Sequence, residues 1–169
     1  MSTTINVEIK ARCTDPERVR RFLNSQHARF VGTDHQCDTY FNTFSGRLKL
    51  REGNIENNLI YYERDNQAGP KTSVFILTPV AEPKPLKDSL TNSLGIFKVV
   101  KKKREIYFIE NVKFHIDEVE PLGTFVEIEA CNKNTPFTRE ALQKQCEMYM
   151  NEMGILPVHL LTHSYSDMI

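Results

Sequence analysis

Apolar and polar residues alternate along most of this chain, the period-two signature of strands with one buried face. Residues 5–12, Ile-Asn-Val-Glu-Ile-Lys-Ala-Arg, alternate without a break. The same pattern predicts strands over 34–42, 46–52, 58–65, 71–78, 97–109, 112–119 and 124–131. The polar run from Asn54 to Asn58 predicts a hairpin turn, as does Glu110-Asn111. Three segments change to helical spacing. The first opens at Asp15-Pro16-Glu17, a capping residue followed by proline at the first helical position, and carries Val19, Phe22 and Leu23 on one face. The second follows Pro85, aligns Leu86, Leu90 and Leu94, and stops at Gly95. The third runs from about Thr138 through Leu142, Cys146, Tyr149 and Met153 to Gly154. Neither an internal repeat nor a long linker interrupts this order. One α+β domain over residues 1–169, built on a largely antiparallel sheet, is the expectation.

Side chains two apart on a strand point the same way, and sorting by parity separates the charges. Asn6, Glu8, Lys10 and Arg12 oppose Ile5, Val7, Ile9 and Ala11. Arg47, Lys49 and Arg51 oppose Leu48 and Leu50, and Ile60, Tyr62 and Arg64 form another set. Lys102 and Arg104 align, although Lys101 and Lys103 populate the other face of that strand. His115, Asp117 and Val119 oppose Ile116, while Phe125, Glu127 and Glu129 oppose Val126, Ile128 and Ala130.

For any single strand, an open sheet with its charged face in water accounts for this. Across strands the pattern is less ordinary, because basic and acidic sets sit on different strands. If the sheet curls closed with the helices outside, these faces line an interior channel. Arginine and lysine there suit phosphate oxygens. Carboxylates beside them suit Mg²⁺ or Mn²⁺, which prefer oxygen ligands and bridge to substrate phosphates.

Composition narrows the partners. The 169 residues carry 22 Lys+Arg and 22 Asp+Glu, a formal net charge of zero. That balance excludes a protein that grips nucleic acid through bulk positive charge, and no nucleic-acid partner is expected. No stretch reaches the ~18 to 20 apolar residues of a membrane span. Met1-Ser2-Thr3-Thr4 lacks a basic region leading into an apolar run, so a cytoplasmic location without membrane attachment is expected. Cys13, Cys37, Cys131 and Cys146 are scattered without a C-x-x-C pair, which predicts reduced structural thiols rather than a zinc site or disulfide framework.

Several short runs occur together in a distinctive order. They are Val7-Glu8-Ile9-Lys10, Gln36-Cys37-Asp38-Thr39-Tyr40-Phe41, Gly46-Arg47-Leu48-Lys49-Leu50-Arg51-Glu52 and Gly69-Pro70-Lys71-Thr72-Ser73. Lys102-Lys103-Arg104-Glu105-Ile106-Tyr107, Ile116-Asp117-Glu118-Val119-Glu120-Pro121-Leu122-Gly123, Phe125-Val126-Glu127-Ile128-Glu129 and the tail Ser164-Tyr165-Ser166-Asp167 complete the set. This order resembles the CYTH superfamily and, within it, the class IV adenylyl cyclases.

The resemblance implies an antiparallel barrel tunnel of roughly eight strands, with helices packed outside, that binds a triphosphate and a divalent metal. Glu8 and Glu129 match metal-holding carboxylates, with Glu127 a neighbour on the same face. Lys10, Lys49, Arg51, Lys102 and Arg104 match the basic set around the phosphates, and Arg64 falls close to a further basic position. Asp117 matches an acidic residue near the reacting end, which with Lys102 and Arg104 makes up the implied catalytic set. Tyr40, His115 and Ser73 are implied contacts to base, ribose or phosphate. The implied reaction turns ATP into cyclic AMP and pyrophosphate with Mg²⁺ or Mn²⁺, in a homodimer. A triphosphatase acting on tripolyphosphate, thiamine triphosphate or a nucleotide is the alternative, and a non-catalytic polyphosphate or nucleotide binder is a third reading. One departure stands out. The family's first signature is acid-x-acid-x-lysine, whereas this chain has Asn6-Val7-Glu8-Ile9-Lys10, so one metal-proximal group is neutral.

Overall fold

Each predicted alternating segment forms a strand in the computed structural model, which describes residues 4–64 and 67–169. In chain order the elements are β1 (Thr4–Arg12), α1 (Pro16–Ser25), β2 (Arg29–Phe41), β3 (Arg47–Glu52), β4 (Asn58–Arg64), β5 (Lys71–Pro79) and α2 (Pro83–Leu94). There follow β6 (Ile96–Ile109), β7 (Val112–Val119), β8 (Gly123–Cys131), α3 (Arg139–Glu152), a 3₁₀ turn (Pro157–His159) and α4 (Tyr165–Met168). The strands form a closed ring in the order β1-β5-β4-β3-β2-β6-β7-β8. Every neighbouring pair is antiparallel, and β1 closes the ring by pairing with both β5 and β8.

Two boundaries differ from the sequence reading. β2 begins at Arg29 rather than at 34, because a register shift between Phe30 and Gly32 interrupts the alternation that would have marked it. α2 begins at Pro83, ahead of Pro85, since the first helical turn needs no N–H from its residues. Leu86 and Leu90 of that helix are half-buried and Leu94 is exposed, so α2 rests shallowly on β2 and β3.

The main core lies outside the ring. Val7, Ile9 and Ala11 of β1, Phe114 and Ile116 of β7, and Val126, Ile128 and Ala130 of β8 pack under Val19 and Leu23 of α1 and Leu142 and Cys146 of α3. Burying each large apolar side chain there contributes roughly 1.5–3 kcal/mol before entropy is counted. Both helices start on side-chain caps: Asp15 accepts from Arg18 N at 3.1 Å, and Thr138 accepts from Ala141 N at 3.2 Å. The Cys146 thiol donates to Val7 O at 3.2 Å, and all four cysteines are free.

With the apolar faces turned out beneath helices, the polar faces turn in. A second apolar cluster of Tyr40, Ile60, Tyr62, Val100, Val119, Phe125 and Tyr165 fills the interior toward the end where β7 turns into β8. The inside of the ring is therefore charged toward one end and apolar toward the other. No helix among the described residues is long and apolar enough to cross a membrane.

Candidate active site

The ring encloses a cavity of about 740 Å³, counting its open mouth. Parity decides what lines it. Asn6, Glu8 and Lys10 enter from β1, Lys49 and Arg51 from β3, Lys102 and Arg104 from β6, His115 from β7, and Glu127 and Glu129 from β8. Tyr40 and Ser73 line it as well, whereas the exposed Lys101, Lys103 and Glu118 face outward. The sequence-predicted set is thus brought into one space, with two qualifications. Asp117 lies behind the wall, and the side chain of Arg64 is outside the described residues.

Two buried carboxylates organise the cations. Asp38, fully buried on β2, accepts a fork from Arg51 (Nε at 2.9 Å, Nη2 at 2.8 Å) and a bond from Lys102 Nζ at 2.7 Å. Lys49 Nζ lies 3.6 Å from the same carboxylate. Burial alone would raise the Asp38 pKa, but Arg51, Lys102 and Lys49 hold it well below the usual range. Asp117 does the same for Arg104, accepting Nε and Nη2 at 2.7 Å each, and its Oδ2 also takes the Tyr165 hydroxyl at 2.9 Å. Both Asp117 oxygens are therefore committed, and the residue orients Arg104. Bidentate forks fix the plane of each guanidinium, which matters for gripping phosphate.

Burial pushes Lys102 down to about 7, against the opposing pull of Asp38, and Arg51, Arg104 and Lys49 push it further in the same direction. Lys10 also falls through burial, despite Glu127 at 3.8 Å, and its Nζ sits 3.9 Å from the centre of the Tyr165 ring. Desolvation of both lysines thus outweighs the pull of their carboxylate partners, Asp38 and Glu127.

At the charged end, one oxygen each from Glu8, Glu127 and Glu129 gather within 4.8 Å of one another. Arg104 Nη2 reaches Glu127 at 3.1 Å, and His115 Nδ1 lies 3.3 Å from Glu127 and 3.9 Å from Glu129. Glu127 is held low against its burial by Lys10, His115 and Arg104. Three carboxylates with all-oxygen donors, two of them buried, fit a hard divalent cation such as Mg²⁺ or Mn²⁺. A second grouping, His115 with Asp117 and Glu127, fits less well because Arg104 and Tyr165 already occupy Asp117. His115 Nε2 has no hydrogen-bond partner among the described residues.

Asp38, Lys113, Tyr165 and Glu56 belong to this site although the sequence reading gives them no role. Asp38 and Lys113 carry a legible signal, since Asp38 shares parity with Tyr40 and Lys113 shares it with His115. Tyr165 reaches the interior from α4, and Glu56 reaches it from the β3–β4 connection, where strand parity does not apply. The apolar part of the wall is Tyr40, Ile60, Tyr62, Phe75, Leu77 and Tyr165.

Comparison with known proteins agrees with this geometry. Residues 4–165 match the CYTH domain. The chain is 26% identical over 180 residues to a Methanocaldococcus jannaschii protein named "Putative adenylate cyclase MJ0240", covering 97% of this chain and 98% of that one. The PH1012 protein of Pyrococcus horikoshii shares the fold with a TM-score of 0.84 at 24% identity, over 97% of this chain and 99% of the other. A Hippeastrum protein named "Putative adenylyl cyclase HpAC1", described as having a dominant triphosphatase activity, superposes with a TM-score of 0.64 at 17% identity, over 96% of this chain and 93% of its own.

Proposed function

The chain belongs to the CYTH domain family, and on that premise we propose that its barrel takes a nucleoside triphosphate with Mg²⁺ or Mn²⁺ and converts ATP to 3′,5′-cyclic AMP and pyrophosphate. The observation that carries this reading is the division of the cavity. A charged part holds Lys10, Lys49, Arg51, Lys102, Arg104 and the three glutamates, and an apolar, aromatic part holds Ile60, Tyr62, Phe75 and Leu77. An inorganic polyphosphate needs only the first; a nucleotide uses both.

Lys49, Arg51, Lys102 and Arg104 bind the β- and γ-phosphates, with Arg51 and Arg104 held in orientation by Asp38 and Asp117. Glu8, Glu127 and Glu129 would hold the divalent ion. When bound, that ion neutralises phosphate charge and makes the ribose hydroxyl more acidic. The 3′-hydroxyl gives up its proton to solvent at the open mouth. Its oxygen forms a bond to the α-phosphorus as the bond from that phosphorus to the bridging oxygen breaks, the pyrophosphate leaving with the electron pair. Lys102 and the two arginines stabilise the charge that accumulates on the departing pyrophosphate. Asp117 acts through Arg104 and does not touch the substrate.

A second reading is triphosphate hydrolysis, in which water attacks the terminal phosphorus. The same cationic lining serves it, because Lys49, Arg51, Lys102 and Arg104 recognise phosphate whichever phosphorus is attacked. The triphosphatase activity described for the Hippeastrum protein supports the same reading. Offering ATP, tripolyphosphate and thiamine triphosphate in parallel, with Mg²⁺ and then Mn²⁺, separates the two. Cyclic AMP with pyrophosphate is the expected product. Orthophosphate alone would replace the cyclase reading with the hydrolase, and saturable binding without either product would leave a binding protein.

A further inference from the structure

The connection between β3 and β4, residues 53–57, folds back over the ring instead of standing away from it. Asp34, fully buried on β2, ties it down: its two carboxylate oxygens accept the N–H groups of Ile55 and Glu56 at 2.9 Å each. A side chain at Gly53 would meet that carboxylate at 2.6 Å, so the close approach requires glycine. Asn57 bonds Gly53 in both directions, at 3.1 and 2.9 Å, and Asn54 Oδ1 accepts from His35 N at 2.6 Å.

This fixed loop aims one carboxylate at the cavity. Glu56 Oε2 accepts from Lys113 Nζ at 2.6 Å, while Oε1 accepts from Gln36 Nε2 at 3.1 Å and lies 3.5 Å from Arg51 Nη1. Lys113 stands on β7 and Arg51 on β3, so a loop anion engages cations from two sides of the ring. It stands between two cations that would otherwise be open to phosphate oxygens. Two anions competing for the same cations repel strongly where water is scarce.

We propose that Glu56 sets the length of phosphate chain the cavity accepts, holding the Lys113–Arg51 end against a fourth phosphoryl group and so confining the substrate to triphosphates. This deepens the reading above and rests on it. The specificity comes from a built-in repulsion rather than from an added contact.

Calorimetric binding of tripolyphosphate and tetrapolyphosphate to the full chain in metal-free buffer tests the gate without turnover. Wild-type protein should prefer tripolyphosphate. E56Q and E56A should each shift the tetra-to-tri affinity ratio toward the longer chain at least tenfold, equivalent to about 1.4 kcal/mol. E56D keeps the charge and should stay closer to wild type than E56Q does; the reverse order would overturn the gate. If wild type binds tripolyphosphate and the ratio is unchanged in both E56Q and E56A, the gate alone is lost and Glu56 is only a loop anchor. An equal loss of affinity for both chains leads to the same conclusion. If no form binds tripolyphosphate, the triphosphate reading fails and the gate fails with it.

Discussion

Replacing Asp38 with asparagine tests whether the buried cations are held by this one carboxylate. The substitution keeps the side chain's shape, removes its charge and turns one of its two acceptor oxygens into a donor. Asp38 is fully buried and serves Arg51 through two bonds, Lys102 at 2.7 Å and Lys49 at 3.6 Å. Removing one partner of a buried ion pair typically costs about 3–5 kcal/mol, because the other charge is left desolvated. Against a total stability on the order of 5–15 kcal/mol, that is a large share. For a chain of this length each kcal/mol moves the melting temperature by about 2–4 °C, so D38N should melt roughly 6–20 °C below wild type. Scanning calorimetry at pH 7.5 reads this directly. E118Q is the control, since the Lys103–Glu118 pair is exposed, and its change should stay within about 0.5 kcal/mol. Added tripolyphosphate should close part of the D38N gap, because it supplies the missing negative charge to the same cations. A D38N melting temperature within about 2 °C of wild type would refute the argument.

Two further outcomes follow from the site. Lys102 titrates near 7 in the folded protein, against 10.5 for an ordinary lysine. Between those values the unfolded chain binds the extra proton, so Lys102 makes stability rise with pH, by at most about 1.4 kcal/mol per unit. Urea unfolding at pH 7 and pH 9 should show a flatter rise for K102Q, and equal slopes would remove this role. E129Q should weaken Mn²⁺ binding and metal-dependent turnover by at least about tenfold while leaving the fold intact, since the Glu129 side chain is 23% exposed and its loss strands no buried cation. Unchanged Mn²⁺ affinity and turnover would sink the metal assignment.

Strand parity made much of this legible in advance. A period of two is a local property, and it sorted Glu8, Lys49, Arg104 and Glu129 onto inward faces without any knowledge of their neighbours. Closure was implied rather than visible, because it depends on β1 finding both β5 and β8. Asp38 lies within the run Gln36–Phe41, and nothing in its local sequence points to a role. Its importance comes from Arg51 and Lys102, which are 13 and 64 residues away in sequence and adjacent only after the ring forms. Asp117 was assigned to the reacting centre, and the fork to Arg104 with the Tyr165 bond turns it into an orienting group. Glu56 was hidden in a stretch that reads as a polar turn, because nothing local says where a loop side chain will point. The start of β2 was missed for a similar reason, a bulge at Phe30/Gly32 that erased the alternation.

The ring closure through β1 also governs how the site comes into being. The backbone N–H of Ile5 donates to the side chain of Asn132, 127 residues later. Glu8 and Lys10 therefore face Glu127 and Glu129 only once β1 and β8 have paired. Such non-local closure makes assembly slow and late, since loop entropy must be overcome before the contacts reward it.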